Sequence, residues 1–380
     1  MDSAGFQPDV LIQNVTSAGP LPDGFATLLR TVDRATYLPD RVWVDGQPVD
    51  RQADVQRWAT AVCQDCLIVT QFDGGEEEWP TIGETVTSAS PRPSALGAML
   101  HALDVDSGHR VLEIGTRTGW STAMIAERVG SRGEVVTVEA DPVLHADSAT
   151  RLGHYGQIRC VRGDGGAAAP SYGDFDRIVT TVAVPLRGSS PEWVSRCRAG
   201  GVIVAPIDVG LGISLVVRFV VDPHGRALGR VLPIAASDLG HNRFGPDADP
   251  DPRIDETFID LDQREGFAES DPVHAWDDPG CRLAMAIAMP SVIGGMDPPG
   301  ATRPYARVWL HDPVSGAAAI VRHVKGTADR YWAHQHGLRR LWDEAETAIT
   351  WWRGQRSPRV SDWLWTLEHH AVRAAPDATR

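Results

Sequence analysis

Short apolar runs alternate with amphipathic segments through the middle of the chain, from Arg110 to about Leu239. The strand-like runs are RVLEIG, GEVVTVEAD, IRCVRGDG, FDRIVTTVAV and VIVAPI, and the helix-like segments between them are STAMIAERVG, PVLHADSATRLGHYG and PEWVSRCRAGG. Alternation of this kind, with continuous Val and Ile in the strands, predicts a parallel sheet covered by helices on both faces. The next two runs, ISLVVRFVVD and GRALGRVLPI, predict a hairpin that adds antiparallel strands at one edge.

The flanking regions have different patterns. Residues 24–70 space their apolar positions three and four apart, which predicts a mainly helical region. After Leu239 an acidic, loop-like stretch leads to a hairpin signal, ARVWLHDPVSGAAAIVRH, and an amphipathic helix, GLRRLWDEAETAITWWRG. We therefore predict a mainly helical N-terminal region over 1–80, an α/β domain over 81–240 and a C-terminal α+β accessory module over 241–380.

Composition and charge narrow the function classes. A net charge of −14 over 380 residues disfavours nucleic acid or an anionic membrane as the main partner. The N-terminus lacks the features of a signal peptide, and no apolar run approaches the roughly 20 residues that span a bilayer. Five cysteines fit a reducing compartment, and neither the CQDC segment nor the His pairs have partner ligands. The sequence thus predicts a cytoplasmic protein without a metal site.

Acidic residues follow three successive predicted strands: Glu113, Glu139 and Asp164. The first strand leads into a turn from Gly115 to Gly119 that matches neither the phosphate-binding GxxxxGK pattern nor GxGxxG. Ligands of parallel sheets bind beyond the carboxyl ends of the strands. At that position Glu113 suits an ammonium group, and Glu139 can accept hydrogen bonds from the two ribose hydroxyls. Asp164 can accept one from the exocyclic amine of adenine. This order predicts S-adenosylmethionine as the cofactor, with S-adenosylhomocysteine as its product.

The predicted cofactor-binding residues lie on the turn and at the three strand ends. They are Glu113, Gly115, Thr116, Gly119, Trp120, Glu139, Asp164 and Gly165. Arg117 stands where such a turn normally has Gly, because the backbone there approaches the ligand or takes a positive φ. Its side chain is expected to point outward or to pair with a carboxylate of the cofactor or the substrate.

The ordered motifs resemble the protein-L-isoaspartyl (D-aspartyl) O-methyltransferase family over roughly residues 25 to 240. They are VDRATYLPDRVW, PTIGETVTSASPRPSALGAMLHAL, RVLEIGTRTGWSTAMIA, VTVEAD, RGDG, FDRIVTTVAVP and GGVIVAPI. The resemblance implies an α/β, Rossmann-like class I S-adenosylmethionine-dependent methyltransferase. The helical N-terminal region and the appended C-terminal α+β module would flank that fold.

More narrowly, the chain resembles the long actinobacterial members that modify graspetides, lanthipeptides or lasso peptides. This resemblance implies methylation of an aspartate side chain in a precursor peptide that is already cyclised, after which the ester collapses to aspartimide or isoaspartate. A general protein-L-isoaspartate repair enzyme is the first alternative. The second is a non-catalytic methyltransferase-like binding module, which Arg117 and an altered substrate loop would both suit.

The segment PTIGETVTSASPRPSALGAMLHAL, from Pro80 to Leu103, resembles the family's substrate loop with the helix that follows it, and is called the substrate loop below. It departs from the family's Ser-Gln-Pro. Aligned backwards from RVLE, that tripeptide falls on Pro91-Arg92-Pro93; aligned forwards from Ile82-Gly83, its hydroxyl position falls on Ala89. We therefore expect Ser88 or Ser90 to supply the catalytic hydroxyl, with Arg92 assisting. No strong base is expected, since an Asp side chain is already ionised at pH 7.

Overall fold

The computed structural model describes residues 7–165, 173–186, 195–240, 242–243, 264–299, 306–323, 330–368 and 371–377. The helices are α1 Pro8–Ala18, α2 Phe25–Thr31, α3 Val55–Val62, α4 Pro93–Leu103, α5 Trp120–Val129, α6 Pro142–Leu152, α7 Pro272–Asp277, α8 Pro279–Ala288 and α9 Leu341–Gly354. Within these residues no helix combines the length and the apolar character that crossing a bilayer requires.

The strands of the N-terminal half are β1 Arg41–Val44, β2 Gln47–Asp50, β3 Ile68–Phe72, β4 Val86–Ser90, β5 Arg110–Ile114, β6 Glu134–Glu139, β7 Ile158–Arg162, β8 Phe175–Thr180 and β9 Val182–Pro185. Those that follow are β10 Cys197–Gly210, β11 Ile213–Val221, β12 Ala227–Ala235, β13 Asn242–Arg243, β14 Arg264–Ala268, β15 Ile293–Asp297, β16 Arg307–Asp312, β17 Ala317–His323, β18 Tyr331–His336, β19 Trp363–Glu368 and β20 Ala371–Pro376.

A mixed central sheet organises the molecule. Its strand order is β20-β19-β12-β11-β10-β8-β5-β6-β7. Outside this order, β9 pairs with β10, and β13 pairs with β9. Strands β10, β8, β5, β6 and β7 run parallel, whereas β11, β12, β19 and β20 are added antiparallel. The chain proceeds outward from β5 to β7 and then returns to the other side of β5 as β8. The predicted α/β fold with an antiparallel edge is confirmed, and its topological switch point lies between β5 and β8.

The N-terminal region is less helical than predicted. Strands β1 to β4 form an antiparallel sheet of order β2-β1-β3-β4. Asp45 and Gly46 connect β1 to β2, with φ of 50° and 69° respectively. Two successive residues at positive φ are typical of the two-residue hairpin turn that Asp-Gly favours. The expectation of a mainly helical region was wrong over these strands, because strands of four or five residues are too short to reveal their own periodicity.

The helix predicted over PEWVSRCRAGG is also wrong where the structure describes that segment. Residues 191–194 lie outside the described residues, and β10 already begins at Cys197. The register between β10 and β8 shifts between Cys197 and Val202. A Cβ on Gly201 would lie 2.5 Å from the Cys197 Sγ and 2.9 Å from a backbone oxygen of β8. Glycine therefore lets this irregular strand start pack closely against its neighbour.

The C-terminal residues take part in the central core. Strands β14 to β18 form a separate antiparallel sheet of order β14-β18-β17-β16-β15. Apolar side chains of this sheet and of α8 and α9 share one buried cluster with one face of the central sheet, while α1, α2, α4 and α5 cover the other face. The last two strands, β19 and β20, extend the central sheet itself through β12. The predicted domain boundary near residue 240 therefore separates segments that pack as neighbours.

We predict that Trp365→Ala lowers the free energy of unfolding by about 3–5 kcal/mol, since the indole is fully buried in β19 within the shared core. Chemical denaturation of the full chain measures this change. Leu338→Ala serves as the control, because Leu338 is fully exposed and its truncation should cost about 0.5 kcal/mol or less. Equal midpoints for the two variants would contradict the assignment of β19 to the core.

Candidate active site

The carboxyl ends of β5, β6 and β8 meet at one edge of the sheet. The Gly115 N–H donates to the Val138 carbonyl at 2.8 Å, and the Thr181 N–H donates to the Ile114 carbonyl at 3.0 Å. These bonds hold the turn after β5 between the ends of the neighbouring strands. This edge, at the switch point of a parallel sheet, is where such folds bind their ligands.

Glu113 lies beneath this edge, fully buried. Its carboxylate accepts hydrogen bonds from Ser121 at 2.6 Å, from Thr137 at 2.8 Å and from Thr122. Burial raises the pKa of the carboxyl, and the three hydroxyl donors oppose that rise. The carboxylate thus ties β5 to β6 and to the first turn of α5. Because its oxygen atoms face protein hydroxyls, this arrangement does not support the expected contact with a cofactor ammonium.

The turn that follows is shaped by glycine at its two ends. Gly115 has a φ of 90°, and a Cβ there would lie 2.5 Å from the Thr181 hydroxyl oxygen. Gly119, with a φ of 87°, directly precedes α5. Both positions therefore require glycine, as expected. The Thr116 hydroxyl is turned inward, 2.6 Å from the Thr137 hydroxyl.

Trp120 was predicted to bind the cofactor, but it does not face the ligand edge. Its side chain is fully buried, and its indole N–H donates to the Val32 carbonyl at 3.2 Å. An indole at the start of α5 buries its large apolar surface best against the N-terminal helices. Trp120 therefore packs the helix in place and lies in the core, away from the ligand edge.

Glu139 ends β6 at the rim of the same edge and is 7% exposed. Its carboxylate accepts the backbone N–H of Arg117 at 2.8 Å and that of Asp141 at 3.1 Å. Asp164 follows β7 and is exposed, whereas Gly165 is buried against Ile114 with no room for a Cβ. The geometry thus brings Glu139 to the turn and leaves Asp164 at the surface beside it.

Arg117 adopts a φ of 50° at the centre of the turn, and its side chain turns inward. It is 5% exposed, and its guanidinium donates to the carbonyls of Leu239 at 3.0 Å, of Thr181 at 2.9 Å and of Gly240. The expectation of an outward side chain is wrong, because three backbone carbonyls converge on a group with five N–H donors. Burial lowers the pKa of Arg117 to about 10, against the opposing effect of Glu139 and Glu113.

The two candidate loop hydroxyls are both inside the protein. Ser88 and Ser90 are fully buried on β4. Ser88 accepts the Thr70 hydroxyl at 2.8 Å, and Ser90 accepts the Arg34 Nε–H at 3.0 Å. Residues two apart on a strand share one face, and at both of these positions that face is buried. The structure therefore contradicts the expectation that one of these hydroxyls is presented to a substrate.

Arg92 connects the substrate loop to the turn over Ala236–Leu239. Its Nε lies 3.0 Å from a carboxylate oxygen of Asp238, its Nη1 lies 4.0 Å from Asp65, and its backbone N–H donates to the Asp238 carbonyl. Its cation is thus already paired with carboxylates, which weakens the expected assisting role. Next to this contact, a Cβ on Gly240 would lie 2.7 Å from the Ala89 Cβ and 3.6 Å from the Arg117 Nη1. The substrate loop and the cofactor turn therefore approach each other at Gly240.

Arg34 is a residue that the sequence interpretation did not single out. Its guanidinium is fully buried and donates to the carbonyls of Cys66 and Pro91, both at 2.9 Å. The group also lies over the Trp120 ring, 5.0 Å from its centroid. Burial lowers its pKa to about 10. The local sequence shows only an Arg at the start of RATY. That sequence would be the same if the Arg side chain were exposed to solvent, so it does not predict burial.

Comparisons with known proteins agree with the fold. A sequence model of the family "Protein-L-isoaspartate(D-aspartate) O-methyltransferase (PCMT)" matches residues 76–220. The protein-L-isoaspartate O-methyltransferase of Ignicoccus hospitalis is 30% identical over 156 residues, which are 40% of this chain and 71% of that protein. The protein of the same name from Rhodospirillum rubrum is 36% identical over 139 residues, 36% of this chain and 59% of that protein.

A solved structure extends the likeness beyond the sequence match. The structure titled protein-L-isoaspartate O-methyltransferase has a TM-score of 0.55 and 18% identity, and the superposition covers 98% of this chain and 100% of that one. At this identity the likeness concerns the fold alone. It includes the C-terminal residues that the family match leaves out.

The residues at the ligand edge fit S-adenosylmethionine, which is the cofactor of this methyltransferase. Gly115 and Gly119 give the turn a shape that other residues would obstruct, and Glu139 lies at its rim. Glu139 would hold the ribose hydroxyls, and backbone groups of the turn would hold the amino-acid end. Arg117 adds a positive charge at this edge.

We predict that Glu139→Gln raises the Kd for S-adenosylhomocysteine about tenfold to a hundredfold, since hydrogen bonds to a charged group contribute about 1.5–3 kcal/mol. Isothermal titration of the full chain measures the Kd. The control is Glu134→Gln, at the opposite end of the same strand, where the carboxylate pairs with Arg110 at 2.9 Å. An unchanged Kd for Glu139→Gln would refute the assignment of the ribose site.

We also predict that Arg34→Met lowers the free energy of unfolding by several kcal/mol, because each buried carbonyl left without a donor costs about 1–3 kcal/mol. Thermal or chemical denaturation provides the readout. Arg30→Met is the control, since Arg30 is exposed and, among the described residues, pairs with Asp9, a contact worth about 1 kcal/mol or less. If both variants were equally stable, Arg34 would not anchor the substrate loop.

Proposed function

Since the chain belongs to the protein-L-isoaspartate O-methyltransferase family, we propose that it methylates an aspartate-type side-chain carboxylate in a peptide. The observation that carries this proposal is the approach of two elements at one edge of the sheet. The turn from Gly115 to Gly119 provides the cofactor site, and the substrate loop meets it at Gly240. A peptide carboxylate placed between the two elements would lie beside the cofactor.

The chemistry asks little of the protein beyond positioning. When bound, S-adenosylmethionine supplies a methyl group on a positively charged sulfur. The acceptor carboxylate is already ionised at neutral pH, so no residue of this chain has to move a proton. The side chains therefore need only hold an ionised carboxylate in line and exclude water. This requirement agrees with a site that offers positioning groups and no strong base.

The finer proposal is that the acceptor is an aspartate in a ribosomally made, already cyclised precursor peptide, and that the ester then closes to an aspartimide or isoaspartate. The altered substrate loop supports it, because Pro91 occupies the family's hydroxyl position in one alignment and Ser88 and Ser90 face inward. A site without that hydroxyl differs from the one expected of a general isoaspartate enzyme. A constrained peptide would bring its carboxylate in a fixed geometry and need fewer groups to position it.

Repair of isoaspartate in damaged proteins is the second candidate. The relatives from Ignicoccus hospitalis and Rhodospirillum rubrum carry the isoaspartate name. The solved isoaspartate enzyme also covers nearly the whole chain in fold, so the C-terminal region by itself does not favour a special peptide. The comparisons do not favour the alternative of a non-catalytic binding module, because the family that they identify is one of methyltransferases.

Intact-mass analysis of two reactions distinguishes the acceptors. The full chain is incubated with S-adenosylmethionine and either a linear isoaspartyl peptide or a macrocyclic peptide with one aspartate, made from a precursor encoded beside this gene. We expect a gain of one methyl group on the cyclic peptide, followed by loss of methanol as the next amide nitrogen closes the ring. The linear peptide is expected to keep its mass.

The reverse pattern would identify a repair enzyme and contradict the finer proposal. If neither peptide gained mass while the protein bound S-adenosylhomocysteine, methylation of aspartate-type carboxylates would be refuted. An asparagine version of the cyclic peptide is the matched control, since it lacks the carboxylate and should not react.

A further inference from the structure

The inward guanidinium of Arg117 occupies the place where the cofactor turn, the end of β8 and the residues after β12 meet. Its carbonyl partners are Thr181 next to β8, and Leu239 and Gly240 at the end of the turn that touches the substrate loop. We propose that Arg117 binds the carboxylate of the methyl acceptor and takes over the role of the absent loop hydroxyl. This inference rests on the function proposed above and adds the group that selects a carboxylate.

The electrostatics of the site favour an anion. Within the described residues the guanidinium donates only to neutral carbonyls. Glu139 and Glu113 lie near enough to raise the pKa of the guanidinium, but neither is hydrogen-bonded to it: Glu139 accepts backbone N–H groups, and Glu113 accepts hydroxyls. A buried cation without a directly bonded anion is costly, and a carboxylate ligand would remove much of that cost. A directly bonded carboxylate would add to the partial stabilisation that Glu139 and Glu113 already give this cation.

Donor geometry leads to the same conclusion. A guanidinium has five N–H donors, and three hydrogen bonds to carbonyls account for part of them. The remaining donors suit a carboxylate, which Arg binds more strongly than a neutral acceptor. The three carbonyls also share the positive charge, so the bound carboxylate would stay reactive. This sharing matters because binding the ground state too tightly slows the reaction.

The acceptor is favoured over the cofactor as the source of the carboxylate. Leu239 and Gly240 belong to the segment that contacts Ala89, and the neighbouring Asp238 binds Arg92 of the substrate loop. Two of the three carbonyls that accept from the Arg117 side chain, those of Leu239 and Gly240, thus lie on the substrate side, and the third, that of Thr181, borders the turn.

Arg117→Gly is a suitable test variant because glycine accepts the positive φ of this position without strain. We expect the KM for the acceptor peptide to rise about tenfold to a hundredfold. The Kd for S-adenosylhomocysteine should stay within about twofold of the original value. Arg117→Lys should recover part of the peptide affinity, since it restores the charge without the paired donors. Arg128→Gln, an Arg of α5 that donates to the Asp23 carbonyl, is the control.

A binding measurement separates this inference from the proposed function. The protein loaded with S-adenosylhomocysteine is titrated with the aspartate peptide and with its asparagine counterpart. We expect the original protein to prefer aspartate and Arg117→Gly to lose that preference, even if no methyl transfer occurs, in which case only the proposed function fails. Equal affinity for both peptides in the original protein would overturn the inference. A preserved preference in Arg117→Gly, or a loss of S-adenosylhomocysteine affinity alone, would also overturn it.

Discussion

A carboxylate buried at the end of β5 must be hydrogen-bonded, and the shape of the ligand edge depends on how that requirement is met. Glu113 is satisfied by hydroxyls of Ser121 and Thr122 on α5 and of Thr137 on β6. The same bonds fix the start of the helix relative to two parallel strands. The connecting turn has to close a short, defined gap, which explains why its two ends require glycine. A ligand site thus follows from the need to satisfy one buried charge.

Two buried cations extend this arrangement to the substrate side. Arg34 satisfies carbonyls around the substrate loop and stacks on Trp120, so the N-terminal region, β4 and α5 are held together by one guanidinium. The Arg117 guanidinium likewise holds the turn together with the end of β8 and the segment at Gly240, by donating to the carbonyls of Thr181 and Gly240. Main-chain carbonyls at such junctions have no strand or helix partner, and a planar group with several donors satisfies more of them than any other side chain.

The sequence predicted the parallel sheet because buried strands require continuous apolar runs, and these remain visible in single segments. It also placed Glu139 correctly at a strand end beside the turn. It did not predict the directions of Ser90 and Arg117, because their partners are distant in the chain. Ser90 is bonded by Arg34, 56 residues away, and Arg117 is bonded to Gly240, 123 residues away. No local pattern distinguishes a polar side chain with such a partner from a solvated one.

The overall charge of the chain makes a local cation necessary on the substrate side. A protein with a net charge of −14 repels an approaching carboxylate at long range, so only a group close to the reaction site can offset that repulsion. Arg92 is close, but Asp238 and Asp65 already bind its charge. Among the described residues, the hydrogen bonds of the Arg117 guanidinium go to neutral carbonyls, while Glu139 and Glu113 act on it without a direct bond. The arginine that stands where such a turn normally has glycine, which the sequence left as either outward-pointing or carboxylate-pairing, is therefore suited to the carboxylate-binding role that we propose for it.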